Sequence, residues 1–486
     1  MNWSEIINQF LYNPENPLLF HQGFFLFIFA LFLIAYSFLA HKNKYRQILI
    51  IVFSAYFYYK ASGLFLLLLV GTISIDYIFS ILIEKQKNTL KRKLLLMIGI
   101  SFSLSFLLYF KYKNFFLENT SFIFGGADRS VEALVLPIGI SFYTFQSISY
   151  LVDFYQYKIK RPTFINYLMY MMFFPHLVAG PIVRAKDFIP QLRKKFSLKK
   201  SNVNEAFYLI TKGLIKKAFF ADFIAQYSDI VFSAPEGFSG TEHALASFCY
   251  TLQIFFDFSG YTDMAIGIAL LLGYRLCLNF DSPYKAKDIT DFWRRWHISL
   301  STWLRDYVYI PFGGNRKGFS RQLLFLLATM LIGGFWHGAD WKFIFWGGAH
   351  GLLLILHKMW RKFGPKDTQG RCYAYLSWLL TFVCVALLWI PFRANSMGEA
   401  WLIYSSIFTN FDFSMINAVV ETNPTLIVVL IIGFILAILP SIWKNKIIQS
   451  YFRLDFYMKI IILIIVIQGV IQIKSSTVQP FIYFQF

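Results

Sequence analysis

Residues 291–318 read DFWRRWHISLSTWLRDYVYIPFGGNRKG, and residues 334–351, beyond a largely apolar run, read GFWHGADWKFIFWGGAHG. Two histidines stand out: His297 beside a pair of arginines, and His337 inside a greasy segment, 40 residues apart (337 − 297). Polar side chains cost free energy in hydrocarbon, so their density in so apolar a chain points to a function.

The rest of the chain supplies that hydrocarbon setting. Of 486 residues, 57% are hydrophobic and 15% charged, against about 25% charged in a soluble domain. Apolar runs recur at 24–40, 64–83, 94–110, 373–392, 425–442 and 458–471, each near the roughly 20 residues that cross a bilayer as a helix. The composition predicts an all-α polytopic membrane protein, one integral domain over 1–486 with its core motifs within 173–356. The net charge of +20 sits in short loops between the apolar runs. That is the pattern of a basic cytoplasmic surface, and it removes nucleic acid as a partner. Such a surface attracts anionic membrane lipid or a phosphate-bearing donor. Cys249, Cys277, Cys372 and Cys384 form no CxxC pair, so neither a zinc site nor a disulfide framework is indicated. The opening MNWSEIINQF lacks the basic start and cleavage site of a signal peptide, and the first span is expected to stay in the mature protein.

Basic loops at 41–46, 84–93 and 158–161 are read as inside, which sets pairs of spans between them: 48–59 with 64–83, then 94–110 with 134–152. Residues 164–181, FINYLMYMMFFPHLVAGP, break this rhythm because basic residues flank them on both sides. They are read as re-entrant, with Pro175, Gly180 and Pro181 interrupting helix hydrogen bonding. A further span lies within 206–232, with Lys212, Lys216 and Lys217 near its inner end. Another, over 243–277, is interrupted by FDFSGYTD at 256–263. Asp257 and Asp263 read as helix ends or packing in preference to proton chemistry.

Residues 285–321 are too polar to span. Spacing of three and four puts Trp293, Trp296, His297, Leu300, Trp303, Leu304 and Tyr307 on one helical stripe, with Arg294, Arg295 and Arg305 opposite. Such a helix lies against a membrane or a cavity wall and aims His297 inward. Around His337, Gly333, Gly334 and Gly338 leave room for a ligand to approach, and Trp336 and Trp341 flank it. A lone buried histidine is ordinarily a core residue; a second one nearby favours chemistry. A neutral imidazole in a dry passage suits a general base acting on a hydroxyl that attacks an acyl carbonyl. No GxSxG elbow and no HExxH spacing occur, so neither an acyl-serine nor a metal is indicated. His350 and His176 read as packing residues. Arg294, Arg295 and Arg305 read either as snorkelling interfacial charges or as contacts to the phosphates of a donor.

Four stretches carry a resemblance: FFPHLVAGPIVR (173–184), FDFSGYTDMAIG (256–267), NFDSPYKAKDITDFWRRWHISLSTWLRDYVYIPFGGNR (279–316), and GFWHGADW with FIFWGGAHG (334–341, 343–351). They resemble the membrane-bound O-acyltransferases, over most of the chain, and within that family the branch that acetylates bacterial polysaccharides such as alginate and cell-wall glycans. The resemblance implies a bundle of about 11–13 helices with re-entrant or interfacial helices around a central tunnel. It implies that the histidine of the WHG motif, here His337, is catalytic, with His297 as its upstream companion; Trp336, which flanks His337, is a candidate substrate contact. It implies acetyl-CoA as cytoplasmic acyl donor with no bound cofactor, a polysaccharide acceptor outside, an extracytoplasmic acetyltransferase partner, and a place in the bacterial inner membrane. D-alanyl transfer to teichoic acid, or transport of a glycan or lipid carrier, are the alternatives. Transporters often carry inverted repeats, and no repeat is visible.

The same parity puts the last residues, FIYFQF, outside. An aromatic tail serves as an interfacial anchor, or Tyr483 serves as an acyl relay to an external enzyme. A phenol ester is more reactive than a sugar ester, so onward transfer is downhill.

Overall fold

The computed structural model describes residues 3–124, 134–365 and 370–473. Helices form the whole of its regular structure, with no strand among the described residues. Five helices are long and apolar enough to cross a membrane: Phe65–Lys85, Thr89–Thr120, Gly240–Leu271, Phe319–His337 and Arg371–Arg393. The number rises to 7 when two bent pairs, Met415–Thr422 with Pro424–Ala437 and Ser441–Arg453 with Phe456–Gln472, are each taken as one span. This is a multi-pass membrane protein.

The chain divides into two compact units: Met1–Ile210 with Tyr261–Cys277, and Thr211–Gly260 with Leu278–Phe486. In the first, Gly63 ends the helix Asn43–Ser62 at φ +59°, its N–H bonding the Tyr59 carbonyl at 2.8 Å. The next helix, Phe65–Lys85, carries the fully buried Asp76. Ser103 donates to its carboxylate at 2.9 Å and Tyr167 at 3.4 Å, and Ser147 donates as well. One acid thereby ties four helices together, a polar glue that apolar side chains cannot provide in lipid. The segment 164–181 breaks as expected, into Phe164–Met172 and Phe174–Leu177 around an extended Phe173. Nine residues rise about 14 Å, too little to cross. His176 is fully buried there, its Nε2–H donating to the Tyr170 carbonyl at 2.9 Å.

In the second unit one cation is drawn inward. The chain from Asp222–Ser233 back through the π-helical turn Ile215–Ala221 was expected to hold Lys217 near an inner end. Lys217 is 3% exposed and bonded to Asp222 and Asp257, each at 2.8 Å. The wider π turn rotates its side chain inward, and buried charge then requires partners. The FDFSGYTD stretch does not interrupt its span, contrary to expectation: Gly240–Leu271 is one helix of 32 residues, assigned to the second unit as far as Gly260 and to the first from Tyr261. Gly260 is there for close approach, since a Cβ on it would lie 2.9 Å from the Gly213 carbonyl oxygen.

Candidate active site

The second unit gathers His297, His337 and His350 among aromatic rings. The stretch holding His297 is not the single striped helix that the spacing predicts. It breaks into Ile289–Arg295 and Ile298–Leu304, with His297 between them in the left-handed region at φ +42°. A left-handed non-glycine residue costs about 1 kcal/mol or more and persists where its surroundings hold it. Asn279 supplies that hold. Its backbone carbonyl accepts from Ile298 N–H at 2.9 Å. Its side-chain oxygen accepts from Ser299 N–H at 3.2 Å and from the Ser299 hydroxyl at 2.9 Å, and lies 3.1 Å from His297 Nδ1.

Those contacts assign the imidazole. A backbone N–H can only donate, so the Asn279 atom facing Ser299 is oxygen, and the same oxygen takes the Nδ1 proton of His297. The lone pair of the neutral ring then sits on Nε2. His297 is fully buried, and burial pushes its pKa down to about 3, so it is neutral throughout the physiological range. Phe258 meets its ring edge to face at 4.7 Å.

His337 ends the helix Phe319–His337, and Asp340 caps the next, Trp341–Phe363, by accepting from Lys342 N–H at 2.9 Å. The WHGAD sequence is therefore a reversal between two helices. The imidazole is buried among Trp336 at 4.8 Å, Trp346 at 5.1 Å and Phe392 at 5.2 Å between ring centroids. Trp336 also lies 6.3 Å from the ring of His297. Trp346 lies 4.8 Å from His350, so imidazoles and indoles alternate in one row. His350 is fully buried, stacked at 6.1 Å on Phe292, and neither ring nitrogen has a hydrogen-bond partner among the described residues.

Two of the three glycines around His337, Gly334 and Gly338, do not leave space for a ligand, whereas a Cβ on Gly333 would meet only the tip of Leu304 at 3.0 Å. A Cβ on Gly334 would lie 2.3 Å from the Phe343 carbonyl oxygen, and one on Gly338 2.0 Å from the Phe343 ring. They let two helix backbones and one ring close on each other. The arginines divide. Arg295 bonds Asp291 at 2.9 Å and faces Asp281 at 3.6 Å, Arg305 bonds Asp306 at 2.7 Å, and Arg294 is exposed. Tyr483 lies outside the described residues. Among the described residues no cluster of three or more His, Cys, Asp or Glu side chains is placed to hold a metal ion.

Asn279 and Trp346 are the residues that sequence reasoning did not single out. Asn279 carried no signal beyond opening the NFDSPYKAKD stretch, 18 residues before His297 (297 − 279). Trp346 carried no signal beyond its place in FIFWGGAHG.

Comparison with known proteins places the chain in a family. The model of the MBOAT, membrane-bound O-acyltransferase family matches residues 48–393. The chain is 34% identical to the probable alginate O-acetylase AlgI of Pseudomonas putida, over 96% of this chain and 100% of that protein. It is 36% identical to the peptidoglycan O-acetyltransferase of Helicobacter pylori, over 79% of this chain and 78% of that protein. The teichoic acid D-alanyltransferase of Streptococcus thermophilus is more distant, 28% identical over 59% of this chain and 72% of its own length.

Proposed function

This chain belongs to the membrane-bound O-acyltransferase family and is an acetyltransferase, and from that premise we propose that it carries acetyl from cytoplasmic acetyl-CoA across a bacterial inner membrane for O-acetylation of an extracytoplasmic polysaccharide. The observation that supports this most is the pair of buried imidazoles that both lie beside Trp336. His337 is the base. As an acceptor hydroxyl attacks the thioester carbonyl, its proton passes to the His337 imidazole and a C–O bond forms. The C–S bond then breaks, and the same proton neutralises the departing coenzyme A thiolate. His297 is neutral and anchored through Nδ1 to Asn279, so it positions and does not exchange its Nδ1 proton. The buried aromatic surroundings exclude water that would otherwise hydrolyse the donor.

The basic loops favour a donor on the cytoplasmic side, and of the three arginines Arg294 and Arg305 are exposed. Outside, a separate acetyltransferase partner hands the acetyl on to the polysaccharide, and the Tyr483 hydroxyl is the relay to it. Replacing Tyr483 with Phe and finding unchanged polymer acetylation would remove the relay and leave the enzyme. The greater similarity to O-acetylating relatives than to the D-alanyltransferase favours acetyl over D-alanyl. A transporter does not fit an acyltransferase family. The test is purified protein with labelled acetyl-CoA. Coenzyme A release by wild type that disappears in His337→Ala supports the reading; equal release by both sinks it.

A further inference from the structure

The second unit contains a cavity of about 520 Å³ that none of its buried histidines lines. Three of its wall residues are cations, Lys285, Lys287 and Arg371. The rest of its wall is Ala374, Tyr375, Trp378 and Ile438. No described carboxylate forms an ion pair with any of the three cations.

The cations stand where apolar helices end. Arg371 is the first residue of the span Arg371–Arg393. Ile438 caps Pro424–Ala437, and just beyond it Lys285 Nζ donates to the Leu439 carbonyl at 3.3 Å and the Ser441 hydroxyl at 3.4 Å. Helix ends of this kind mark the headgroup level of a bilayer. From Arg371 the wall runs down the span to Trp378, seven residues or about 10 Å deeper. The Trp378 indole N–H is fixed there by the Tyr284 carbonyl at 2.8 Å. Tyr375 is 71% exposed, and Leu376 and Leu380 beside it are equally open, so this side of the span is the side that faces lipid.

We propose that this cavity is a binding site for an anionic phospholipid, its phosphate held by Lys285, Lys287 and Arg371 and its upper acyl chain laid against Ala374, Trp378 and Ile438. Basic pockets between transmembrane helices on the cytoplasmic side recognise headgroups in this way. The phosphates of a nucleotide donor share the anionic chemistry. They bring no hydrocarbon for a wall that descends along a lipid-facing helix, which favours the lipid. The site does not depend on which acyl group the enzyme transfers.

The experiment uses the full chain in phosphatidylcholine nanodiscs with and without phosphatidylglycerol, with bound lipid counted by native mass spectrometry. Wild type retains phosphatidylglycerol over phosphatidylcholine. Replacing Lys285, Lys287 and Arg371 together with Gln lowers that preference on the order of a hundredfold, at about fivefold for each cation. If the triple variant does not fold, Lys287→Gln with Arg371→Gln keeps the Lys285 bonds and loses on the order of twentyfold. Unchanged phosphatidylglycerol retention in either variant overturns the proposal. So does unchanged retention accompanied by a raised KM for acetyl-CoA, which would assign the cations to the donor's phosphates.

Discussion

The imidazoles of His297 and His337 lie against the same indole, their ring centroids 6.3 Å and 4.8 Å from that of Trp336. One ring comes from a strained break between two short helices and the other from the last residue of a long one. Their meeting is therefore a property of packing. It makes Trp336 a spacer: its replacement by Ala should leave both histidines in place but lower kcat more than KM changes. His337→Ala should lose on the order of a thousandfold in rate, the usual worth of a general base. A His337→Ala variant within tenfold of wild type removes the base from His337.

Asn279 holds His297 and Ser299 through one oxygen. Asn279→Ala leaves three buried donors without that acceptor, at about 1–3 kcal/mol for each one that finds no other. Both melting temperature and kcat should fall. Asn279→Asp keeps an acceptor and should recover more stability than Ala; equal loss in the two would show that the amide oxygen is not the hold.

Gly334 and Gly347 mark the closest approach of two helices. A Cβ on Gly347 would sit 2.4 Å from the Met330 carbonyl oxygen, whereas one on Gly348 meets only the flexible end of Leu331 at 3.3 Å. Gly347→Ala should therefore destabilise by about 1–3 kcal/mol or more, and Gly348→Ala should be close to neutral. Thermal melting of the two variants in one detergent reads the difference directly.

Lys217 sits between two carboxylates. Lys217→Met leaves Asp222 and Asp257 without their shared cation, a loss of about 3–5 kcal/mol when a buried ion pair is broken from one side. Adding Asp222→Asn and Asp257→Asn to the same variant should restore most of it. If the triple variant is no better than the single one, these charges are not coupled through Lys217.

Acid should weaken the fold through His297. The folded ring resists protonation down to about pH 3, while the unfolded one takes up its proton near pH 6.5. Stability is complete above that upper value and drains as pH falls below it, by about 2 kcal/mol near pH 5. The drop in melting temperature from pH 7 to pH 5 should be smaller in His297→Asn than in wild type. The same drop in both would mean that another group carries it.

Much of this protein was written locally. Apolar runs near the length of a bilayer crossing announce helices because every backbone polar group in hydrocarbon must be satisfied within its own segment. The run at 64–83 became Phe65–Lys85, and that at 373–392 became Arg371–Arg393. Pro175 and Gly180 foretold a broken segment because their backbone chemistry acts on their own neighbours. His297 and His337 stood out by type against an apolar background, and family motifs carried the acyltransferase reading.

Tertiary structure decided what lies beside what. Periodicity put His297 on a helical stripe because spacing is blind to a left-handed residue; only the hold of Asn279, 18 residues earlier (297 − 279), makes that backbone stable. Gly334 and Gly338 near His337 look like room for a ligand in one dimension and prove to be close contacts in three, since the atoms that fill the space come from Phe343 and Gly347. Lys217 reads only as one of three lysines near the inner end of a span, and its pairing with two carboxylates is visible only in three dimensions. Secondary structure follows from forces between neighbours along the chain, whereas a site follows from contacts between residues that the sequence separates.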